Sequence, residues 1–198
     1  MRKGEATREA IVGRALSDAV SVGLDGLTLG ALAESLSLSK SGLFAHFRSK
    51  EALQLAVLDE AVSRFQKAVV RPALKAKEGR ERLETLFDKF LAWMRGQDDL
   101  GGCPFVVFSQ EFASRPGPLR DRVVGIQKEW QGFIATCASQ AIKTGALKVD
   151  TDPLQFAFEF LGAGLAYQRA SKLMGDRSAL KRAHATFQTM LDRAAAQK

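Results

Sequence analysis

The chain of 198 residues is poor in the features that mark disulfide-bonded, metal-binding and membrane-spanning proteins. Its two cysteines, Cys103 and Cys137, lie far apart and outside any cysteine–histidine cluster, which argues against a disulfide framework or a structural zinc site. The first ten residues are charged and have no apolar core, so we expect no signal peptide. The most apolar stretch, residues 156–166, is too short to span a bilayer and contains Glu159. We therefore expect a cytoplasmic protein with no metal, no cofactor and no membrane partner.

Catalytic patterns are equally scarce. The chain has two histidines, His46 and His184, and no Ser-His-Asp order, phosphate-binding loop or HExxH motif. A cysteine nucleophile at Cys103 would need a base to activate it, and no suitable histidine is evident. We therefore expect a protein that is not an enzyme. The net charge of +7 is compatible with a nucleic-acid partner but does not establish one.

What the chain does have is helical periodicity throughout. Apolar residues make up 46% of it and charged residues 26%, as in ordinary globular proteins, and no alternating strand pattern appears. The fold class predicted is all-α, with three helices in the N-terminal part of the chain and six helices behind them. Pro72 is expected to kink or end the fourth helix. The predicted helices cover about residues 7–22, 28–36, 39–47, 50–71, 80–95, 104–113, 118–143, 153–174 and 178–195.

Residues 28–53, TLGALAESLSLSKSGLFAHFRSKEAL, are the most informative segment. Thr28 and Ser39 are candidate N-caps of two short helices that are separated by a tight turn, and Ser49 is the candidate N-cap of the helix that follows. Leu43 and Phe47 are four residues apart, so they can be buried together. Small, hydrogen-bonding side chains on the opposite face suit close approach to bases and phosphates. The segment thus has the layout of a helix-turn-helix, whose second helix points Lys40, Ser41 and Phe44 outward.

This segment resembles the DNA-binding domain of the tetracycline-repressor-like (TetR) family of bacterial regulators. The resemblance covers about residues 8–58 and is carried by Gly26-Leu27-Thr28, Leu32-Ala33, Leu38-Ser39-Lys40 and the run HFRSKEAL at 46–53. It implies a homodimer that binds a palindromic operator in double-stranded DNA. The residues expected to contact DNA are Thr28, Ser39, Lys40, Ser41, Gly42, Phe44, His46 and Lys50.

Four positions depart from the family pattern. Ser37 stands in the turn where the family usually has glycine, and Gly42 stands where threonine, alanine or serine is common. Phe44 replaces a tyrosine whose hydroxyl reaches a phosphate, and Ala45 replaces a frequent aromatic or basic residue. We therefore expect DNA binding to depend more on Thr28, Lys50, the basic N-terminal arm and dimerisation.

The predicted domain boundary separates a DNA-binding domain at 1–49 from an effector-binding and dimerisation domain at 50–198, with helix 50–71 linking the two. The resemblance implies that helices of the second domain enclose a small effector. Thirteen phenylalanines and two tryptophans against one tyrosine favour a mostly apolar one. The candidate pocket residues are Phe65, Phe90, Trp93, Cys103, Phe108, Phe112, Gln127, Trp130, Gln131, Phe156, Phe160 and Tyr167.

The eighth and ninth helices are the expected dimer interface. Small residues at Gly162-Ala163-Gly164 let helices approach closely, although a close contact within one subunit is the open alternative. The candidate interface residues are Leu161, Gly162, Gly164, Leu165, Leu180, Ala183, Phe187, Met190 and Leu191.

These features favour a ligand-responsive transcriptional regulator, most simply a repressor that its effector releases from DNA. Effector binding would shift helix 50–71 and change the separation of the two DNA-binding domains. Two alternatives remain open. One is a redox or electrophile sensor that uses the thiol of Cys103 at a helix N-terminus, and the other is a helical adaptor that has lost DNA binding.

Overall fold

The computed structural model describes residues 3–96 and 102–196, with the backbone only for Lys3 and Lys40. Over these residues the chain forms nine helices and no strand, apart from one isolated antiparallel bridge between Leu147 and Ala195. The predicted all-α fold, with three helices in the DNA-binding segment and six behind it, is confirmed. The helices are α1 (Lys3–Val22), α2 (Leu29–Ser35), α3 (Lys40–His46), α4 (Lys50–Phe65, continued by a π-helical stretch Gln66–Val70 and by Arg71–Lys75), α5 (Arg80–Arg95), α6 (Pro104–Phe112), α7 (Pro118–Lys143), α8 (Pro153–Gln168, continued by a π-helical stretch Arg169–Leu173) and α9 (Ala179–Ala194).

The described residues pack as two compact units. The first unit holds residues 3–64 and 102–126, and the second holds residues 65–96 and 127–196. Helix α6 therefore packs in the same unit as the helix-turn-helix, although it follows α5 in sequence. The boundary predicted at residue 49 separates two functions, DNA binding and effector binding, and does not follow from these packing units. It stays a prediction.

Of the two outcomes expected at Pro72, a kink or an end of the helix, the end is not found, because the helical run continues past the proline. The N–H of Arg71 bonds to the carbonyl of Gln66 five residues earlier, so the helix widens directly before the proline. A proline has no N–H to donate and its ring crowds the preceding turn, and a widened turn accommodates both. The helix continues to Lys75 and ends at Ala76, whose backbone is extended.

The turn between α2 and α3 places Ser37 in the left-handed region, with φ +54°. The N–H of Leu38 donates to the carbonyl of Ala33 (2.8 Å), and the N–H of Ser37 donates to that of Glu34 (3.0 Å). This pair of bonds is the Schellman arrangement, which closes the end of α2 and favours glycine at the left-handed position. Ser37 is the one residue other than glycine with positive φ in the part of the chain that the structure describes.

Replacing this serine should stabilise the first unit. Ser37→Gly removes the left-handed strain, about 1–2 kcal/mol, but adds the conformational entropy cost of glycine, about 0.5–1 kcal/mol, so the free energy of unfolding should rise by a few tenths to about 1 kcal/mol. Urea titration followed by circular dichroism measures the change. The matched control is Ser17→Gly on the exposed face of α1. It should lower stability, and an equal loss in both variants would contradict the role assigned to Ser37.

Candidate nucleic-acid interface and effector site

The helix-turn-helix is built on a small apolar core. Leu32 and Ala33 of α2 and Leu43 of α3 are buried, together with Phe47 just after α3. The guanidinium carbon of Arg8 lies 4.9 Å from the centre of the Phe47 ring, which adds a cation–π contact from α1. These contacts fix one face of α3 and leave the other exposed.

Side-chain caps define where each short helix starts. The N–H of Ala31 donates to Oγ of Thr28 (3.2 Å), and the N–H of Gly42 donates to Oγ of Ser39 (3.0 Å). Ser49 caps α4 in the same way, accepting from the N–H of Ala52 at 3.1 Å. All three caps predicted from the sequence are confirmed.

The face of α3 that points away from this core is polar and small at its start. Ser39 and Ser41 are exposed, with their hydroxyls 3.1 Å apart. A Cβ at Gly42 would lie 3.1 Å from Oγ of Ser39, so a larger residue here would be in tight contact with the Ser39 cap. Phe44 is 50% exposed, which leaves its ring available for contact. Of the other predicted contacts, Thr28 is exposed, His46 and Lys50 are half-buried, and the structure gives only the backbone of Lys40.

Lys50 has a structural partner that sequence reasoning missed. Its Nζ donates to the backbone carbonyl of Asp25, in the turn between α1 and α2. Gln54, one turn further along α4, donates from Nε2 to the carbonyl of Leu24 at 2.8 Å. The Lys50 ammonium has two further protons, so a phosphate contact is compatible with this bond and stays a prediction.

Glu111 of α6 holds the same turn from the other side. Its carboxylate accepts the N–H of Leu24 (2.8 Å) and the N–H of Asp25 (2.7 Å), and Arg115 forms an ion pair with the Asp25 side chain. Gly23, at φ +78°, lies so close that a Cβ there would be 3.0 Å from the Glu111 oxygens. We call the contacts of Glu111 with the N–H groups of Leu24 and Asp25 the turn clamp.

An aromatic cluster dominates the second unit. The Phe65 ring, at the end of the α-helical part of α4, lies 5.5 Å from Trp93 and 4.7 Å from Trp130, in both cases edge to face. Phe90 lies 5.4 Å from Trp130 and 5.6 Å from Phe160. We call Phe65, Phe90, Trp93, Trp130 and Phe160 the aromatic cluster; it unites five of the predicted pocket residues.

Polar atoms are left unpaired in this unit. Nε1 of Trp93, Nε1 of Trp130 and Oε1 of Gln168 are buried without a hydrogen-bond partner. Such groups are rare because each costs about 1–3 kcal/mol, and they are often found where a ligand binds. Gln168 was not among the predicted pocket residues, because its position in α8 shows no local sequence signal.

The remaining predicted pocket residues are divided between the units. Phe156 and Tyr167 are buried in the second unit, where Gln127 and Gln131 are half-buried. By contrast, the first unit contains Cys103, Phe108 and Phe112, all buried, so these three are not part of the aromatic cluster.

Neither cysteine has the surroundings of a reactive thiol. Cys103 is only 2% exposed, although it stands directly before α6. Burial raises the pKa of the Cys137 thiol to about 11, with a smaller opposing effect of Arg82. Burial gives the alternative of an electrophile sensor at Cys103 no support.

Several residues predicted at the dimer interface are packed inside a single chain. A Cβ at Gly164 would lie 2.3 Å from Cε1 of Phe90, so this glycine serves a contact within the chain. Phe187 stacks on Phe87 with ring centres 4.1 Å apart. Leu161 and Leu180 are half-buried, and Gly162 and Leu165 are exposed. The other interface candidates on α9 are buried within the chain, which corrects their assignment: Ala183, Met190 and Leu191.

Metal-binding clusters and membrane-spanning helices are both absent from the described ranges. Within them, no group of three or more histidine, cysteine, aspartate or glutamate residues could hold a metal ion. None of their helices combines the length and apolarity needed to cross a membrane.

Comparison with protein families identifies the class of protein. Residues 14–57 match the family model for bacterial regulatory proteins of the tetR family, and residues 79–187 match the tetracyclin repressor-like C-terminal domain. The second match alone spans more than half of the chain. The chain therefore belongs to the tetracycline-repressor-like family of transcriptional regulators, and residues 28–53 are its helix-turn-helix. A comparison with curated proteins finds no match.

Solved structures share the fold over nearly the whole chain. A TetR transcriptional regulator from Chloroflexus aurantiacus is 24% identical, with a TM-score of 0.90 over 100% of both chains. A TetR-family regulator from Cytophaga hutchinsonii is 19% identical, with a TM-score of 0.86 over 100% of this chain and 99% of that one. AibR in complex with isovaleryl coenzyme A and operator DNA is 23% identical, with a TM-score of 0.73 over 92% of this chain and 96% of that one.

The turn clamp should contribute measurably to the stability of the first unit. Glu111→Ala leaves the N–H groups of Leu24 and Asp25 without their acceptor, so we expect a loss of about 1–3 kcal/mol in the free energy of unfolding. Glu111→Gln keeps one acceptor oxygen and should lose less. Chemical denaturation gives both values, and Glu9→Ala on the exposed face of α1 is the control. A Glu111→Ala protein as stable as that control would contradict the clamp.

Proposed function

We propose that this protein is a ligand-responsive repressor, which binds a palindromic operator as a homodimer and is released from it by a small, mostly apolar effector. The observation that carries the proposal is the capped, exposed face of α3 in a helix-turn-helix whose opposite face is fixed by a buried core. A short helix with small polar residues at its start can approach base edges, while exposed caps and nearby cations reach phosphates.

The DNA-binding residues proposed are those whose surface is available. Thr28, Ser39, Ser41 and Phe44 are exposed around the start and outer face of α3. Phe44 has no hydroxyl, so it contributes packing against sugar rather than a hydrogen bond to phosphate. Lys40, Gly42, His46 and Lys50 complete the proposed set. The AibR structure, which shares this fold and contains operator DNA, supports DNA binding by the fold.

Dimerisation is supported by an apolar stripe on α8. Leu154, Phe158 and Leu165 are 61%, 67% and 52% exposed, and their spacings of four and seven residues place them on one helix face. Gly162 is exposed beside them, and Leu161 is half-buried. A contiguous apolar face on a soluble chain is typical of an interaction surface. A second copy with two-fold symmetry would cover it and would bring two DNA-binding domains to successive half-sites.

Effector response is supported by the path of α4. This helix runs from Lys50, beside the turn between α1 and α2, to Phe65 in the aromatic cluster and beyond. A ligand that displaces Phe65 would move α4 and alter how the two DNA-binding domains are spaced. Operator and effector would then compete through a coupling free energy, of about 1–3 kcal/mol in typical cases.

The proposed contact between Lys50 and a DNA phosphate should be visible in how DNA affinity depends on salt concentration. Lys50→Ala removes one phosphate contact, so it should weaken binding to all DNA sequences and reduce the slope of log K against log salt by about one. Glu111→Ala perturbs the same turn without removing a cation, so it should leave the slope unchanged. Fluorescence anisotropy on duplex DNA across a salt series measures both. Equal slopes for Lys50→Ala and the unmodified protein would contradict the phosphate contact.

The stripe on α8 should determine the oligomeric state. Leu165→Glu places a charge in the proposed interface, so a protein that is dimeric at micromolar concentration should become monomeric. Leu74→Glu is the matched control, because Leu74 is also an exposed leucine (48%) of the second unit but lies outside α8. Sedimentation velocity distinguishes the species. A Leu165→Glu protein that stays dimeric would exclude this surface.

A further inference from the structure

We propose that the effector site of the second unit takes an uncharged, planar aromatic molecule that carries both a hydrogen-bond acceptor and a hydrogen-bond donor. The inference deepens the proposed function and rests on it for its regulatory meaning. The binding itself can be tested without DNA.

The unpaired polar atoms define the polarity of the ligand. The two indole N–H groups of Trp93 and Trp130 can only donate, and the Oε1 atom of Gln168 can only accept. In the described ranges these are the buried side-chain polar atoms without a partner, and none of the three carries a charge. A carbonyl oxygen would satisfy an indole N–H, and a hydroxyl or amide N–H would satisfy Gln168. A charged ligand would lose its hydration without gaining an opposite charge from these atoms.

Helices α5 and α8 run side by side in the same direction. Near their middle, Phe87 and Phe160 have ring centres 5.0 Å apart. Near their ends, Nζ of Lys172 donates to the carbonyl of Arg95 at 3.2 Å. The residue numbers of the contacting pairs differ by 73 for Phe87 and Phe160 and by 77 for Arg95 and Lys172. The two helices therefore keep a similar register along their length.

This register places Trp93 level with Gln168 on the neighbouring helix. Trp93 is only 3% exposed. Trp130 joins the same group through Phe65, whose ring lies 5.5 Å from the Trp93 ring and 4.7 Å from the Trp130 ring. A donor pair and an acceptor therefore border one aromatic region. A planar ring that displaces Phe65 would retain the edge-to-face contacts while supplying the missing hydrogen-bond partners.

Two π-helical stretches border this region. Gln66–Val70 begins directly after Phe65, and Arg169–Leu173 begins directly after Gln168. Widened helical turns of this kind are rare and occur often at functional sites. Their positions next to Gln168 and next to Phe65, which the ligand would displace, are an observation independent of the hydrogen-bond count.

The two tryptophans of the chain are both proposed contacts, so the indole N–H region of a ¹H–¹⁵N spectrum reports on the site directly. Three probes of similar size separate the requirements. Neutral 4-hydroxyacetophenone offers an acceptor and a donor, acetophenone offers the acceptor only, and 4-hydroxybenzoate is an anion. We expect 4-hydroxyacetophenone to move at least one indole proton downfield. Acetophenone should bind about fivefold to tenfold more weakly, as expected for one lost hydrogen bond, and 4-hydroxybenzoate more weakly still.

Conservative variants assign the contacts. Trp130→Phe keeps an aromatic ring but removes one donor, so affinity for both neutral probes should fall about fivefold to tenfold. Gln168→Leu removes the acceptor, so the preference for 4-hydroxyacetophenone over acetophenone should disappear. Gln188→Leu, at an exposed glutamine of α9, is the control and should change neither value.

The unmodified protein alone can overturn the proposal. Indole signals that stay fixed up to the solubility limit of both neutral probes would do so, as would an affinity for 4-hydroxybenzoate equal to that for 4-hydroxyacetophenone. A protein that binds DNA as a dimer but fails this titration would refute the ligand class alone. One that passes the titration but never binds DNA would instead refute the proposed function.

Discussion

The presentation of α3 depends on a turn that other helices hold in place. Residues 23–25 connect α1 to α2, and the carboxylate of Glu111 accepts two successive N–H groups there. Hydrogen bonds to a charged acceptor are stronger than those between neutral groups. Gln54 secures the same turn through the carbonyl of Leu24. Because Glu111 belongs to α6, the first unit combines the DNA-binding helices with a segment that lies far away in sequence, and a movement of α6 would reach the turn directly.

The second unit combines a well-packed core with features that packing does not explain. Phe87, Phe160 and Phe187 are buried and in mutual contact. In the same unit, the indole N–H groups of Trp93 and Trp130 lack partners. An apolar stripe on α8 also remains exposed. Interior packing and unsatisfied groups rarely occur together without a functional reason. The proposed ligand would account for the first exception, and the proposed second copy of the chain would account for the other.

Local patterns predicted local structure well. The caps at Thr28, Ser39 and Ser49 and the nine helices of the described ranges followed from short-range chemistry, since caps and helical periodicity depend on residues that are close in the sequence. Contacts between residues far apart in the sequence could not be predicted from such local patterns. The turn clamp joins Glu111 to Leu24 and Asp25, which precede it by 87 and 86 positions, and no sequence pattern near Glu111 predicts it. Periodicity also could not tell which apolar face of α8 or α9 packs inside the chain, so Met190 and Leu191 were assigned to the dimer interface, while the exposed Phe158 was not.

Selection of binding sites from random duplex DNA by the full-length protein tests the central claim most directly. A two-fold symmetric pair of α3 helices predicts that the enriched sequences are inverted repeats, with half-site centres about 10–10.5 base pairs apart or a multiple of that distance. Enrichment of single, unrepeated sites, or no enrichment over random DNA at low salt, would contradict the account.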